Sequence, residues 1–403
     1  MVFYKKTLKT KSNKEADTLE VTGNDMNKLS EELLKVNRGD YSNYAAKTLS
    51  TFAGWSYSDF DTFKDKVADN VGSGSQTIMI QVKNEPLLIQ ATAQLTRTHD
   101  KKVAIVTFRG TEMTNLANWM TDAEAKKSDF IDPKNQANDR VNNIQVHTGF
   151  KDNFKAVWLG KKGILMHLMY PEMMREDYNY HDDNISQQGK SSELDDLDAI
   201  YICGHSLGGA MASLAGLHLA LANQNPPAHP EIFSKLFSKL RGVYTYGGPM
   251  VADDHDIVRC EQLCGNLTFR HVYYNDIVPH LPPLSFGSFD HFGAEYRYHP
   301  RDGWKKRTEG FFGFKSDRSK QVVFIITTGL VGALDGVLDN INWLNFWRGD
   351  DYEIPLIGFL SRGWLKMPWS FSDHSPRGYM TTLKKLPDAE ERAVVCVGVE
   401  SRG

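Results

Sequence analysis

The chain has 403 residues, of which 41% are hydrophobic and 24% charged, and its formal net charge is −3. This balance is typical of a globular protein that is long enough for one large α/β domain with insertions. It gives no indication of a nucleic-acid partner. The four cysteines have no metal-ligand spacing and favour neither a zinc framework nor a disulfide scaffold.

Residues 1–28 are predicted to be a polar N-terminal tail. Five lysines lie within the first 14 residues, without an apolar core or arginines. The segment therefore lacks the features of a secretory signal or a transit peptide. We expect a protein that is cytoplasmic or secreted by a signal-independent route. Residues 29–403 are predicted to form a single domain.

The elements before residue 170 are predicted from apolar periodicity. Residues 29–57 are expected to be helical, and β-rich runs follow at 77–82 and 86–95. A buried strand is predicted at 103–108, and a helix at 150–170. Strands and helices alternate from residue 103 onward, which indicates a mostly parallel central sheet flanked by helices.

A nucleophile is predicted at Ser206. The apolar run Ala199 to Cys203 leads into Gly204-His205-Ser206-Leu207-Gly208 and then into a small-residue helix pattern. This is the strand–turn–helix setting in which G-x-S-x-G carries a reactive serine. The two glycines allow a turn so tight that side chains two positions from the serine are excluded. A Gly-rich turn with an incidental serine is the alternative interpretation.

The acid and base are expected to follow the serine in the chain. Asp276 comes directly after the predicted strand 267–274, at the sheet edge where open α/β sheets place their ligands. Four histidines follow it: His280, His291, His299 and His374. His280 lies in the same short loop, and the next two flank the predicted strand 293–298. His374 precedes the predicted helix 377–386, the usual setting of a general base, so we select it.

The oxyanion donors are predicted at two turns. Leu207 offers its backbone N–H at the N-terminus of the helix after the serine. The turn Arg109-Gly110-Thr111 leaves the predicted strand 103–108, and Thr111 can offer both its N–H and its hydroxyl. Taken alone, Arg-Gly-Thr is a weak signal that also fits a plain turn.

Together these motifs resemble the class 3, or filamentous-fungal-type, lipases, which are α/β-hydrolases. Asp373-His374-Ser375 and Tyr379 are similar to the histidine block of that family. The other signatures occur in the family's order: Phe108 to Thr111 with Asn118 to Asp122, Val146 to Phe150, Gly204 to Ala210, and Tyr246 to Pro249 followed by Asn275 to Pro279.

The resemblance implies an α/β-hydrolase fold with an apolar insertion before the catalytic histidine. It implies a triad of Ser206, Asp276 and His374, an oxyanion hole of Thr111 and Leu207, and a mobile lid over about residues 112–120. It also implies acylglycerol or phospholipid substrates and no cofactor or metal. Some bacterial relatives resemble antibacterial phospholipase effectors, for which an immunity protein would be a partner.

Two predicted insertions depart from a minimal family member. Residues 171–198 hold nine acidic residues; a solvated loop is favoured over a calcium site, because the spacing fits no calcium loop. Residues 300–372 are apolar and carry five of the eight tryptophans. The uncharged run 321–334 is shorter than the ~20 residues of a spanning helix. A packed cap, a lipid-contacting element at 304–347 and a protein-docking surface remain alternatives.

The function predicted from sequence is therefore a serine ester hydrolase acting on acyl lipids, as a triacylglycerol lipase or a phospholipase A. An antibacterial phospholipase effector and an esterase for small or aromatic acyl groups are alternatives within hydrolysis. A lipase-like binding protein is the non-enzymatic alternative. It is disfavoured because Ser206, Asp276, His374 and both glycines of the turn are present.

Overall fold

A computed structural model describes most of the predicted domain. The described residues are 28–84, 86, 89–110, 126–130, 144–160, 162–175, 194–224, 230–282, 288–307 and 372–387. The polar tail, Thr111 with the predicted lid, most of the acidic insertion and nearly all of the apolar insertion lie outside this part of the chain.

The elements alternate along the chain. The strands are β1 (Gln76–Asn84), β2 (Ile89–Arg97), β3 (Val103–Phe108), β4 (Lys127–Phe130), β5 (Ile144–His147), β6 (Ala199–His205), β7 (Leu240–Tyr246), β8 (Ala252–Asp253), β9 (Thr268–Tyr273), β10 (Phe289–Asp290), β11 (Ala294–His299) and β12 (Gly303–Lys306). The α-helices are Lys28–Leu34, Asn43–Trp55, Phe60–Asn70, Thr148–Trp158, Ile164–Met169, Leu207–Gln224, Pro230–Lys239, Ile257–Cys264 and Pro376–Leu383.

Eight strands form the central sheet, in the order β1-β2-β3-β6-β7-β9-β11-β12. The inner strands from β3 to β11 run parallel, whereas β1, β2 and β12 pair antiparallel at the two edges. This confirms the predicted mostly parallel sheet. A smaller sheet, in the order β10-β8-β5-β4, lies beside it.

The central sheet separates two hydrophobic cores. On β6, Ile200 and Ile202 face one core, while Tyr201 and Cys203 face the other. This alternation follows from the two-residue period of a strand, and both faces are apolar because helices cover both. The helix Leu207–Gln224 packs in the first core, and the helices Asn43–Trp55 and Pro376–Leu383 pack in the second.

The predicted helix over residues 29–57 is wrong as a continuous element. Lys28–Leu34 and Asn43–Trp55 are separate helices. Gly39 lies between them at φ +82°, a left-handed conformation that an α-helix cannot contain. Ser42 then starts the second helix by accepting a hydrogen bond from the N–H of Ala45, as N-cap residues do.

The predicted helix over residues 150–170 is also interrupted. Thr148–Trp158 and Ile164–Met169 are separate helices, because Gly160 adopts φ +97° between them. The apolar periodicity continues through the break since both helices bury one face in the same core. Periodicity alone therefore concealed the interruption.

Three of the four cysteines lie in the described part of the chain. Cys203, Cys260 and Cys264 are buried free thiols there. Cys260 and Cys264 both lie on the helix Ile257–Cys264. Within the described ranges, no helix combines the length and hydropathy needed to span a membrane.

A buried ion pair joins the neighbouring strands β9 and β11 of the central sheet. Arg270 on β9 donates to Glu295 on β11 over 3.3 Å, and both side chains are almost fully buried. Burial raises the pKa of Glu295, but Arg270 and Arg297 outweigh it and lower the pKa to about 2. Because β9 leads directly to Asp276, this pair fixes the strand that presents the predicted acid.

We expect Glu295→Gln to lower the free energy of unfolding by about 3–5 kcal/mol, since it removes the carboxylate charge that faces the buried Arg270. The folded pKa lies below the usual 4.5. The stabilisation should therefore be complete above about pH 4.5 and be lost as the pH falls toward 2. Urea unfolding at pH 3 and pH 7 checks this. If the free energy of unfolding falls as much in Glu295→Gln as in wild type between pH 7 and pH 3, the assignment to Glu295 is wrong.

Candidate active site

Ser206 lies at a sharp turn between β6 and the helix Leu207–Gln224. Its φ is +60°, which a non-glycine residue adopts only at a cost of about 1–3 kcal/mol. A Cβ at Gly204 would lie 2.1 Å from the carbonyl oxygen of Gly208, and one at Gly208 would lie 2.1 Å from that of Phe108. Both positions therefore require glycine, as the sequence predicts.

The backbone on either side holds this strained turn in place. The N–H of Ser206 donates to the carbonyl oxygen of Tyr246 at the end of β7 over 2.9 Å. On the other side, a Cβ at Gly110 would lie 2.9 Å from the Cβ of Ser206. The serine is thus enclosed by the ends of β3 and β7, and it has no exposed surface.

Asp276 and His374 form a buried hydrogen-bonded pair. Nδ1 of His374 lies 2.8 Å from Oδ2 and 3.0 Å from Oδ1 of Asp276. Asp276 follows β9, and His374 ends a 3₁₀ turn at Ser372–His374. The two residues are 98 positions apart in the chain, and only the fold brings them together. This contact selects His374 from the four histidines of the sequence analysis.

Further hydrogen bonds hold the carboxylate of Asp276. The hydroxyl of Tyr379 donates to Oδ2 over 2.5 Å, and the backbone N–H of Val278 donates to Oδ1 over 2.9 Å. Burial, with the nearby charge of Asp276, raises the pKa of Tyr379 well above its usual value. The phenol therefore stays protonated and available as a donor. The N–H of Tyr273 in turn donates to the Tyr379 hydroxyl.

Two side-chain atoms of the candidate site have no hydrogen-bond partner among the described residues. They are Oγ of Ser206 and Nε2 of His374, both buried. An unpaired buried polar atom costs about 1–3 kcal/mol and needs an explanation. Because Asp276 occupies Nδ1 of His374, Nε2 is the nitrogen that remains to exchange a proton.

Gly247 lies where the serine and the acid–base pair meet. It follows Tyr246, the partner of the Ser206 N–H, and has φ +61°. A Cβ here would lie 2.6 Å from Oδ2 of Asp276 and 2.9 Å from Nδ1 of His374. Tyr246-Gly247-Gly248-Pro249 was predicted as a family signature, without this role for Gly247. Two adjacent glycines at the end of a strand are the sequence feature that could have indicated a close approach of the backbone to the site.

The other candidate histidines lie elsewhere. His291 is buried, and its Nε2 lies 2.6 Å from the carbonyl oxygen of Pro279. His299 is exposed at the end of β11, where its Nδ1 lies 3.6 Å from a carboxylate oxygen of Asp302. His280 belongs to the short 3₁₀ turn Val278–His280. The side-chain oxygens of Asp276 instead lie within hydrogen-bond distance of His374, Tyr379 and Val278.

The predicted oxyanion donors are described only in part. Leu207 is the first residue of the helix Leu207–Gln224, so its N–H belongs to the first turn, which has no intrahelical partners. Thr111 lies outside the described residues, but the preceding Gly110 packs against Ser206. The chain therefore passes beside the serine at Gly110, just after β3.

One group in the described residues has metal-ligand spacing: Asp253, Asp254 and His255, with ligand atoms within 4.8 Å of one another. Asp253 is nearly buried and pairs with Lys127 over 2.7 Å, whereas Asp254 is partly exposed and His255 is largely exposed. The group lies at the end of β8, in the smaller sheet.

A mostly parallel sheet with a serine at the turn after its central strand, and a buried Asp–His pair at the same edge, defines an α/β-hydrolase. Residues 105–286 match the family model described as Lipase (class 3). Over this segment the chain is similar to the class 3 lipases. Ser206 and Asp276 fall within the match, whereas His374 lies beyond it.

Known proteins match parts of the chain. A lipase of Rhizopus niveus is 29% identical over 209 residues, which are 52% of this chain and 42% of that protein. Toxin TseL of Vibrio cholerae is 31% identical over 132 residues, which are 33% of this chain and 18% of the toxin. The solved Rhizomucor miehei triacylglyceride lipase is 21% identical, with a TM-score of 0.44, over 65% of this chain and 82% of that chain. This chain spans half or less of the length of these curated relatives.

We expect Gly247→Ala to destabilise the protein and to separate Asp276 from His374, because its Cβ would collide with both. The matched control is Gly303→Ala. Gly303 has a similar φ of +69° but nothing within 4 Å of an added Cβ. Both variants should incur the backbone strain of about 1 kcal/mol, and Gly247→Ala should lose more. Equal losses in urea unfolding would show that the collision is absent.

Proposed function

We propose that this protein is a serine carboxylic-ester hydrolase that cleaves acyl esters of lipids. The observation that carries the proposal is the buried Asp276–His374 pair, which leaves Nε2 of His374 without a partner beside the strained turn of Ser206. A serine nucleophile needs a base oriented by a third group. The match of residues 105–286 to the class 3 lipase family model supports the ester substrate.

In the proposed reaction, Nε2 of His374 takes the proton of the Ser206 hydroxyl as Oγ attacks the ester carbonyl. Asp276 accepts the Nδ1–H hydrogen bond, which fixes the tautomer and stabilises the imidazolium. His374 then gives the proton to the leaving alcohol, and an acyl-serine remains. Water attacks this ester with the same base, which releases the fatty acid and restores Ser206.

The proposed oxyanion hole is the N–H of Leu207 together with Thr111. The N-terminus of the helix Leu207–Gln224 adds a favourable potential for the negative oxygen. Thr111 would contribute from the turn after Gly110, which packs against Ser206. The lid that the family resemblance implies, at about residues 112–120, lies outside the described residues.

The proposed substrates are acylglycerols or phospholipids. Relatives and solved structures carry the names lipase and triacylglyceride lipase, which favours a neutral acylglycerol. The apolar, aromatic insertion at 304–347 is the proposed lipid contact, and nearly all of it lies outside the described residues. A packed cap over the active site is the alternative role for this segment.

The decisive experiment measures fatty-acid release by purified protein from triacylglycerol emulsion and from phospholipid vesicles, side by side. We expect wild type to release fatty acid from at least one substrate, and Ser206→Ala and His374→Asn to abolish release equally, because the triad acts as a unit. A fluorophosphonate probe should label wild type but not Ser206→Ala. Unlabelled wild type would contradict the proposal and favour a lipase-like binding protein.

A second candidate is an antibacterial phospholipase effector, for which an inhibitory immunity protein would be the partner. The specific observation is the match over 132 residues to Toxin TseL. The same assay separates the two candidates. Release from phospholipid alone favours the effector, whereas release chiefly from triacylglycerol favours a lipase.

We expect Tyr379→Phe to lower kcat about three- to tenfold with little change in KM. The variant removes the 2.5 Å hydrogen bond to Asp276, and a buried hydrogen bond of this kind contributes about 1 kcal/mol or somewhat more. A matched control is Tyr201→Phe, which loses a 2.7 Å hydrogen bond to the carbonyl oxygen of Leu33 in the same core. An equal effect of both variants on kcat would mean that the Asp276 contact is only structural.

A further inference from the structure

His205, the residue before the serine, contacts the predicted base directly. It ends β6 and is buried. Its ring centroid lies 4.5 Å from that of His374, with 32° between the ring planes. The triad mechanism assigns His205 no role, although it is the nearest described aromatic ring to the imidazole of His374.

A second residue, Tyr57, lies within hydrogen-bond distance of His205. Its hydroxyl lies 2.8 Å from Nδ1 of His205. The same hydroxyl lies against Gly110, where an added Cβ would be only 2.2 Å from it. The guanidinium of Arg109 lies 5.8 Å from the centre of the Tyr57 ring. Tyr57 therefore touches both the turn that leads to Thr111 and the histidine that packs on the base.

The charge state of His205 suits this position. Burial and the proximity of His374 lower the pKa of His205 well below its usual value, and the His374 backbone opposes this in part. The ring is therefore neutral. A neutral imidazole can lie against His374 while His374 becomes positively charged, whereas a second cation at 4.5 Å would oppose that step.

We propose that Tyr57 and His205 form a positioning pair that fixes the imidazole of His374 relative to the turn carrying Gly110. His205 supplies the surface on which the His374 ring rests. Tyr57 anchors His205 and places the same hydroxyl against the predicted oxyanion turn. A connected series of contacts thus runs from Arg109 and Gly110 through Tyr57 and His205 to His374. The inference rests on the proposed hydrolase function.

Tyr57 lies outside the segment that matches the family model, which begins at residue 105. It follows the helix Asn43–Trp55 directly. That helix packs against β6 and against the helix Pro376–Leu383 beyond His374. Tyr57 therefore links the N-terminal part of the domain to the site, and its side chain can be changed without altering the triad.

The test compares Tyr57→Phe, His205→Phe and His205→Asn with wild type, using the lipid substrate that wild type hydrolyses. Tyr57→Phe removes only the hydroxyl. His205→Phe keeps a ring beside His374 but loses the nitrogen that Tyr57 contacts, and His205→Asn keeps a polar partner for Tyr57 but loses the ring. We expect each to lower kcat about tenfold, with KM unchanged within about twofold, as for the loss of one buried contact.

The double variant Tyr57→Phe/His205→Phe should be no slower than either single variant, because both remove the same hydrogen bond. Tyr201→Phe, which loses a buried hydroxyl bond elsewhere, should keep the wild-type kcat. Unchanged kcat in Tyr57→Phe and in both His205 variants, with active wild type, would overturn the positioning pair and leave the proposed hydrolase intact.

A second measurement does not depend on turnover. The Nδ1 proton of His374, which is hydrogen-bonded to Asp276, should give a downfield proton resonance in NMR spectra. We expect Tyr57→Phe to shift or broaden this resonance and Tyr201→Phe to leave it unchanged. If wild type hydrolyses no lipid, a shifted resonance supports the positioning pair while the proposed function fails. An unshifted resonance overturns the pair in either case.

Discussion

The candidate site depends on one backbone constraint, the left-handed conformation of Ser206 between β6 and the following helix. Ser206 keeps φ +60° because the close packing of the backbone on both sides of it excludes a relaxed conformation. Gly204 and Gly208 bring the strand and the helix into contact with each other and with Phe108. Strain of this kind persists where the surroundings over-determine it, and it occurs preferentially at functional sites. The buried parallel strands supply that rigidity.

The acid–base pair depends on a different kind of support. Asp276 and His374 come from distant parts of the chain, and neither lies on a strand or an α-helix. Their position is set by short polar contacts, above all the Tyr379 hydroxyl on one carboxylate oxygen and the Val278 N–H on the other. A buried carboxylate whose oxygens accept such hydrogen bonds can hold an imidazole in one orientation.

The Ser206 turn approaches its neighbours in the site at two glycines. Gly247 separates the Ser206 turn from Asp276 and His374, and Gly110 separates it from Tyr57. Each position lacks room for a methyl group, so the distances within the site are set by backbone packing. This explains how a serine held by strands and a histidine held by a short turn can share one small volume. It also explains why the N-terminal helix Asn43–Trp55, which precedes Tyr57, is part of the site's framework.

Much of the fold and of the site was predictable from local pattern. The buried strands were recognisable because parallel strands covered on both faces are apolar runs of limited length. Ser206 was predictable because the G-x-S-x-G turn is a purely local requirement. The helix breaks at Gly39 and Gly160 were missed, since the apolar period continues across a break when both helices bury one face in a shared core.

The sequence by itself determined the residue types: a serine between two glycines, an aspartate after a strand, and histidines further along the chain. Only the tertiary structure decided which histidine meets Asp276, because the contact spans 98 positions and has no local signature. It alone placed Tyr379, Gly247 and the pair Tyr57–His205 around that contact. The physical reason is that hydrogen bonds and ring contacts depend on distance in space, whereas a sequence pattern records only separation along the chain.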